Sequence, residues 1–176
     1  MASSRHIVGI TGWSGSGKTD LVIRLIPVLA ARGYQVATFK HAHHSFEIDK
    51  PGKDSYKHRK AGAVEVIVSS ATRWALIHEN GPEEEPELDE LLARMSPVDI
   101  VLVEGFKDEP HAKIEVFRPI NKSEPLFNNN STIVAIATNV NLPKSGIPVL
   151  NLQDTDAVAD LILSNLEVWD TTREAV

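Results

Sequence analysis

The sequence contains no cysteine among its 176 residues, which excludes disulfides, thiolate metal sites and cysteine nucleophiles. It also lacks any apolar run near the roughly 18 residues that a membrane-spanning helix needs. No block of Lys and Arg stands out and the formal net charge is -6, so nucleic acid is not expected as a partner. With 42% apolar and 24% charged residues, the composition is typical of a globular domain. The absence of cysteine is compatible with the cytoplasm.

One stretch matches the phosphate-binding loop pattern G-x-x-x-x-G-K-[ST] at every fixed position: Gly12-Trp13-Ser14-Gly15-Ser16-Gly17-Lys18-Thr19. An apolar, strand-like segment precedes it at 7–11, and an apolar helical stripe follows it. A helix N-terminus presents unpaired amides and a positive dipole end, which together bind phosphate. Lys18 is expected to reach the outer phosphates and Thr19 to hold magnesium. The pattern therefore predicts a nucleoside triphosphate site.

The order of apolar segments predicts an α/β fold of the P-loop NTPase type. Strands that are apolar on both faces alternate with helices, which favours a mostly parallel sheet with helices on both faces. An antiparallel hairpin at 64–78 and a strand at 112–117 are interpreted as additions to that sheet. We expect residues 1–176 to form a single nucleotide-binding domain, with a frayed tail at 170–176.

Polar residues or glycine stand at four predicted strand ends, where ligands bind in folds of this class. Glu104 ends an apolar strand, so we expect it to hold magnesium or its waters together with Thr19; the alternative is that it caps a loop. Asp49, in the polar loop after the second strand, is a further candidate for the metal. Asp54 competes with Asp49 for this role, although the sequence also predicts Asp54 as the N-cap of a short helix.

A basic, histidine-rich segment follows the second strand, with Lys40 beside His41, His43 and His44. Three interpretations stay open: a metal site, an anion site next to the phosphate loop, or an exposed loop without a role. No cysteine and no third ligand at standard spacing supports the metal site. Lys40 is therefore taken as a candidate phosphate contact.

The choice of base is weakly encoded. The Asn-Lys-x-Asp signature of guanine recognition in regulatory GTPases is absent, and Asn139, at a late strand end, is the candidate for a purine contact. Asn is also a common turn former at such positions. Trp13 is expected to cover the phosphates, to face a partner, or simply to pack on the sheet edge.

Five blocks of sequence, in order, resemble the molybdopterin-guanine dinucleotide biosynthesis adaptor family (MobB), from His6 to about Leu166. They are the phosphate loop, Lys40-His41-Ala42-His43-His44, Asp49-Lys50-Pro51-Gly52-Lys53-Asp54-Ser55-Tyr56, Arg59-Lys60-Ala61-Gly62-Ala63 and Val103-Glu104-Gly105-Phe106-Lys107. The resemblance implies a GTP-binding protein with weak hydrolysis, usually a homodimer. It would work beside the guanylyltransferase that joins GMP to molybdopterin, with molybdopterin itself a further candidate partner.

The Val-Glu-Gly strand end also resembles dethiobiotin synthetase, in which the Glu is a magnesium ligand, and this role is carried over to Glu104. Ser45 and Glu47 depart from the family pattern, in which Asp often stands at these positions. Two other functions stay open beside the adaptor. One is a small-molecule kinase or ATP-dependent ligase of the dethiobiotin synthetase type, and the other is a scaffold with a vestigial loop.

Overall fold

The computed structural model describes residues 5–42, 46–81, 85–119, 123–142 and 145–174. These residues divide into two compact units, the described parts of Met1–His41 with Ser96–Val176 and those of Ala42–Met95. The strands are β1 His6–Thr11, β2 Val36–Lys40, β3 Glu65–Ser69, β4 Trp74–His78, β5 Ile100–Glu104, β6 Lys113–Phe117, β7 Ile133–Thr138 and β8 Val149–Asn151. The helices are α1 Lys18–Ala31, α2 Asp54–Lys60, α3 Leu88–Ala93 and α4 Thr155–Glu174, with a 3-10 turn at Leu126–Asn128.

The first unit contains a six-stranded sheet in the order β2-β5-β1-β6-β7-β8. Every pairing in this sheet is parallel, so the carboxyl ends of all six strands meet at one edge. This parallel sheet with its helices, together with the antiparallel hairpin described below, confirms the predicted fold class. The phosphate loop leaves β1 at the carboxyl edge, between β5 and β6.

The strand predicted as an addition at 112–117 lies instead in the middle of the sheet. β6 pairs with β1 on one side and with β7 on the other, and all five of its residues are buried. The charged residues Lys113 and Glu115 alternate with apolar ones, which is the pattern of a half-exposed strand. Here both charged side chains are buried, and the prediction that β6 is peripheral was wrong.

Two helices cover one face of the sheet and supply its main core. Leu21, Leu25 and Leu29 of α1 pack there with Val158 and Ile162 of α4. α1 ends at Ala31, and Gly33 shortly after it has a positive φ of 93°, which is typical of a helix C-terminus. The helix continues through Pro27. α4 runs to Glu174, and the fraying of the tail stays a prediction.

The opposite face of β6 carries the buried side chains of Lys113 and Glu115, and His111, two residues before the strand, is buried as well. Lys113 Nζ donates to the carbonyls of Glu109 and His111, the latter at 2.9 Å, and burial lowers the pKa of Lys113 to about 8. The Glu115 carboxylate accepts the amides of residues 126 and 127 at 2.8 and 2.9 Å, while burial raises its pKa. The 3-10 turn therefore lies against this second face.

The hairpin belongs to the second unit. β3 and β4 pair antiparallel, which confirms the hairpin predicted at 64–78. They form a two-stranded sheet of their own and not an extension of the parallel sheet, so the expected pairing with that sheet was wrong. α2 packs against β3. Among the described residues of the whole chain, no helix is both long enough and apolar enough to cross a bilayer.

The buried His111 predicts how folding stability depends on pH. Burial, followed by the charge of Lys113, lowers its pKa from 6.5 to about 3. Because the unfolded chain takes up the proton first, stability should fall as the pH drops from 7 toward 3. The loss from this side chain should be about 2 kcal/mol between pH 7 and pH 5. His111→Gln should remove that component, which urea unfolding at the two pH values measures.

His58→Gln is the matched control, because His58 is exposed on α2. This substitution should leave the pH dependence of the wild-type protein unchanged. Equal slopes of stability against pH in the wild type and in His111→Gln would contradict the assignment.

Candidate functional site

The phosphate loop is shaped by glycines at both of its ends. Gly12 follows β1 with φ 138°, and a methyl group built on it would lie 2.4 Å from the carbonyl oxygen of Val116. Gly17 is the N-cap of α1, with φ 102°. Side chains are disfavoured in this backbone region, and at Gly12 there is also no room for one. The predicted strand–loop–helix arrangement is therefore confirmed around the loop.

Lys18 is held by the loop that it follows. Its Nζ donates to the carbonyls of Gly12 and Trp13 at 2.8 and 3.0 Å. An ammonium group has three N–H donors, so one stays available for a ligand. Partial burial lowers the pKa of Lys18, while the charge of Glu104 raises it and that of Lys40 lowers it.

Three predicted side chains meet at the carboxyl ends of β2 and β5. Lys40 and Glu104 are direct cross-strand neighbours, and the Lys40 Nζ lies 3.3 Å from Glu104 Oε1. Thr19 Oγ1 donates to the same carboxylate oxygen at 2.7 Å. A hydroxyl and a carboxylate side by side are the hard oxygen ligands that magnesium prefers, so the residues present fit this ion.

A cavity of about 370 Å³ lies over these groups. Its lining contains seven residues, all of them predicted from the sequence: Ser14, Gly15, Gly17, Lys18, Thr19, Lys40 and Glu104. Two lysines against one carboxylate give the lining a net positive charge in a protein of net charge -6. That excess favours an anionic ligand.

The remaining members of the loop face elsewhere. Trp13 is 42% exposed, and its indole Nε1 donates to the carbonyl of Glu124 at 2.8 Å, so it links the loop to the segment before the 3-10 turn. Ser16 is buried, and its hydroxyl has no hydrogen-bond partner in the part of the chain that the structure describes. Both are candidate nucleotide contacts through their backbone amides, and that role stays a prediction.

Asn139 is exposed directly after β7, two strands away from β1 at the same carboxyl edge. It is not part of the lining of the cavity over the phosphate loop. Its proposed contact with the base stays a prediction.

Asp49 belongs to the second unit, where it forms an ion pair with Arg59. Its two carboxylate oxygens lie 2.7 and 3.4 Å from the guanidinium nitrogens, and this hydrogen bonding lowers the pKa of Asp49. Arg59 also binds Glu47 and, at 3.1 Å, Glu79. The role of Asp49 at the metal stays a prediction.

Asp54 is the first residue of α2 and not its N-cap, a position that Lys53 occupies without a side-chain cap. The prediction of Asp54 as N-cap was therefore wrong. Its carboxylate instead lies 3.4 Å from the Lys57 Nζ, one turn further along the helix.

Of the three histidines after β2, His43 and His44 lie outside the described residues. The His41 ring stacks on Phe106 at 4.4 Å between centroids. The described part of the chain contains no cluster of three or more His, Asp or Glu residues able to hold a metal ion. Because two of the three histidines are not described, the metal interpretation and anion binding by Lys40 both stay predictions.

Arg118 was missed by the sequence analysis. It directly follows β6, and its guanidinium lies against Gly17 of the phosphate loop. The strand-end rule that selected Lys40 and Glu104 would have selected it too, had β6 been recognised as a central parallel strand.

Comparisons with known proteins show which family the chain is similar to. The family model described as molybdopterin guanine dinucleotide synthesis protein B (MobB) matches residues 7–139. The chain is 44% identical over 161 residues to the molybdopterin-guanine dinucleotide biosynthesis adapter protein of Escherichia coli (strain K12), which covers 89% of this chain and 91% of that one. The adapter protein of Haemophilus influenzae (strain ATCC 51907 / DSM 11121 / KW20 / Rd) is 40% identical over 158 residues, covering 89% and 86%. A crystal structure of molybdopterin-guanine biosynthesis protein B superposes with a TM-score of 0.71 at 29% identity, covering 91% and 99%.

The loop geometry predicts unequal effects of adding a methyl group at two glycines. Gly12→Ala should destabilise the fold by more than about 2 kcal/mol, because the methyl group meets the backbone of β6. Gly15→Ala meets no atom within 4 Å at φ 74°, so only the cost of the left-handed conformation remains, about 1 kcal/mol. Denaturant unfolding of both variants measures the difference. An equal loss of stability in the two variants would contradict the close approach at Gly12.

Proposed function

The chain belongs to the molybdopterin guanine dinucleotide synthesis protein B (MobB) family, and we propose that its own part in this synthesis is to bind GTP with magnesium as an adapter. It acts with the guanylyltransferase that joins GMP to molybdopterin, and it hydrolyses GTP only weakly. Molybdopterin is a candidate further partner. A homodimer and a cytoplasmic location complete the proposal; the family resemblance supports the first, and the cysteine-free sequence is compatible with the second.

The observation that supports nucleotide binding most directly is the meeting of Thr19, Glu104 and Lys18 at the phosphate loop. The Thr19–Glu104 contact of 2.7 Å offers magnesium two oxygen ligands, either directly or through water. The Lys18 ammonium, already oriented by two loop carbonyls, has a donor left for the outer phosphates. Bound magnesium would neutralise charge on those phosphates.

Lys40 adds a second cation on the Glu104 side. Its side chain is largely exposed and forms an ion pair with Glu104, so an arriving phosphate can recruit it at little conformational cost. Guanine as the base is supported by the family and not by the geometry of the cavity. Asn139, on the same edge of the sheet, is the proposed base contact, and Asp49 the proposed additional acid for the metal.

The metal role of Glu104 predicts a loss of magnesium dependence. Glu104→Gln keeps an oxygen that can accept the Thr19 hydroxyl, so the fold should survive, but it removes the charge that attracts magnesium. Wild-type protein should bind GTP roughly tenfold or more tightly with magnesium than with EDTA. In Glu104→Gln this ratio should approach one. Isothermal titration with GTP and ATP measures the ratio and the base preference together.

Lys18→Ala is the reference variant and should lose GTP binding under both conditions. Equal binding with and without magnesium in the wild type would remove Glu104 and Thr19 from a metal site. Equal affinity for GTP and ATP would refute the guanine part of the proposal.

The adapter role predicts an effect on a second enzyme. Adding the wild-type protein with GTP and magnesium to a molybdopterin guanylyltransferase should increase formation of the dinucleotide, whereas Lys18→Ala should give no increase. Product formed per unit time is the measurement. If the protein alone instead turned over ATP many times faster when a pterin or carboxylate acceptor was added, the kinase or ligase function would replace the adapter.

A further inference from the structure

Arg118 lies beside the phosphate loop, on the side away from Glu104, the proposed metal ligand. β1 is paired with β5 on one side, which places Glu104 beside the loop. It is paired with β6 on the other side, and Arg118 is the first residue after that strand. The loop that leaves β1 therefore has a carboxylate on one flank and a guanidinium on the other.

The guanidinium is in close reach of the loop itself. A methyl group built on Gly17 would lie 3.1 Å from Arg118 Nη2 and 3.4 Å from Cζ. Gly17 is both the N-cap of α1 and part of the lining of the 370 Å³ cavity. Arg118 is not itself among the lining residues, but its guanidinium lies against the Gly17 end of the cavity, where the first amides of α1 lack intrahelical partners.

No partner among the described residues explains this placement. Arg118 is half-buried, and its Nε is buried without a hydrogen-bond partner. Within the described residues it forms no ion pair with a carboxylate. The hydroxyl of Ser16, the residue before Gly17, is likewise buried without a hydrogen-bond partner among the described residues. A partly desolvated guanidinium without an anion is unfavourable, and an anionic ligand at the loop would relieve that cost.

The position of Arg118 indicates which part of the nucleotide it would meet. Lys18 and the Thr19–Glu104 pair mark the outer phosphates and the metal, whereas the loop amides surround the α- and β-phosphates. Resting on the proposed nucleotide site, we propose that Arg118 binds the α- and β-phosphates, which GDP and GTP share. The planar guanidinium can donate two parallel hydrogen bonds to phosphate oxygens.

The experiment measures GTP and GDP binding by titration, with magnesium and with EDTA. Arg118→Gln should weaken both nucleotides by a similar factor, roughly 10- to 100-fold, because the lost hydrogen bonds are to a charged group. The factor should be the same in EDTA, in contrast to the magnesium-dependent effect of Glu104→Gln. Arg118→Lys should recover part of the affinity. Arg73→Gln, an exposed arginine on the hairpin, should bind like the wild type.

The possible results separate this inference from the proposed function. If Lys18→Ala loses binding while Arg118→Gln binds normally, the site stands and the role of Arg118 is refuted. A loss confined to GTP would also refute it, because Arg118 would then contact only the outermost phosphate. If wild-type protein binds neither nucleotide, both proposals fail. Thermal unfolding of the variants without nucleotide checks that they are folded. If Arg118→Gln does not fold, the test uses Arg118→Lys, which should bind GTP and GDP severalfold more weakly than the wild type and by the same factor.

Discussion

The parallel pairing of β5 between β2 and β1 is the constraint on which the site depends. It fixes Lys40 and Ile10 as the neighbours of Glu104, so the three strand ends meet beside the loop. A shift of register by one residue would turn the Glu104 side chain to the other face of the sheet. The four preceding residues, Ile100 to Val103, are completely buried. Their burial sets the register and, through it, the distance of 2.7 Å between Thr19 and Glu104.

β6 places charged side chains in the interior, where each of them needs hydrogen-bond partners. Lys113 is tolerated because its ammonium group reaches acceptors that include the Thr132 hydroxyl at 2.9 Å, and Glu115 because two backbone amides bind its carboxylate. Both ring nitrogens of His111 lack such partners, so this residue is stable only as the neutral imidazole. The bonds to Glu115 also fix the start of the 3-10 turn, and Trp13 fixes the residue Glu124 just before it.

The sequence was sufficient to predict those features of the site that depend on residues close together in the chain. The phosphate loop, its flanking strand and helix, and the strand ends Lys40 and Glu104 were all predicted and are brought together in one cavity. Each depends on a local pattern combined with one general rule about parallel sheets. The hairpin was predicted for the same reason, since two short strands and a tight connection are local features.

Local sequence patterns do not show which segments, distant in sequence, pair in the fold. Alternation of Lys113 and Glu115 with apolar residues describes the chemistry of β6, but not the partners that bury it. Likewise, nothing local indicates that Asp49 pairs with Arg59, ten residues away, or that the hairpin forms a separate sheet. Misplacing β6 had a consequence for the site, because the arginine that follows it was then not recognised as a strand end.

The central position of β6 changes the electrostatic picture of the loop. With β6 at the periphery, all charge near the phosphates would come from the Lys40–Glu104 side, where the acid partly cancels the lysines. With β6 beside β1, an arginine without a carboxylate partner in the described residues borders the loop at Gly17. The field across the loop is then asymmetric, with Glu104, the proposed acid for the metal, on one flank and a cation without an acidic partner among the described residues on the other. A polyphosphate with magnesium at its outer end carries the complementary asymmetry, so the two flanks together favour one direction of the bound phosphate chain.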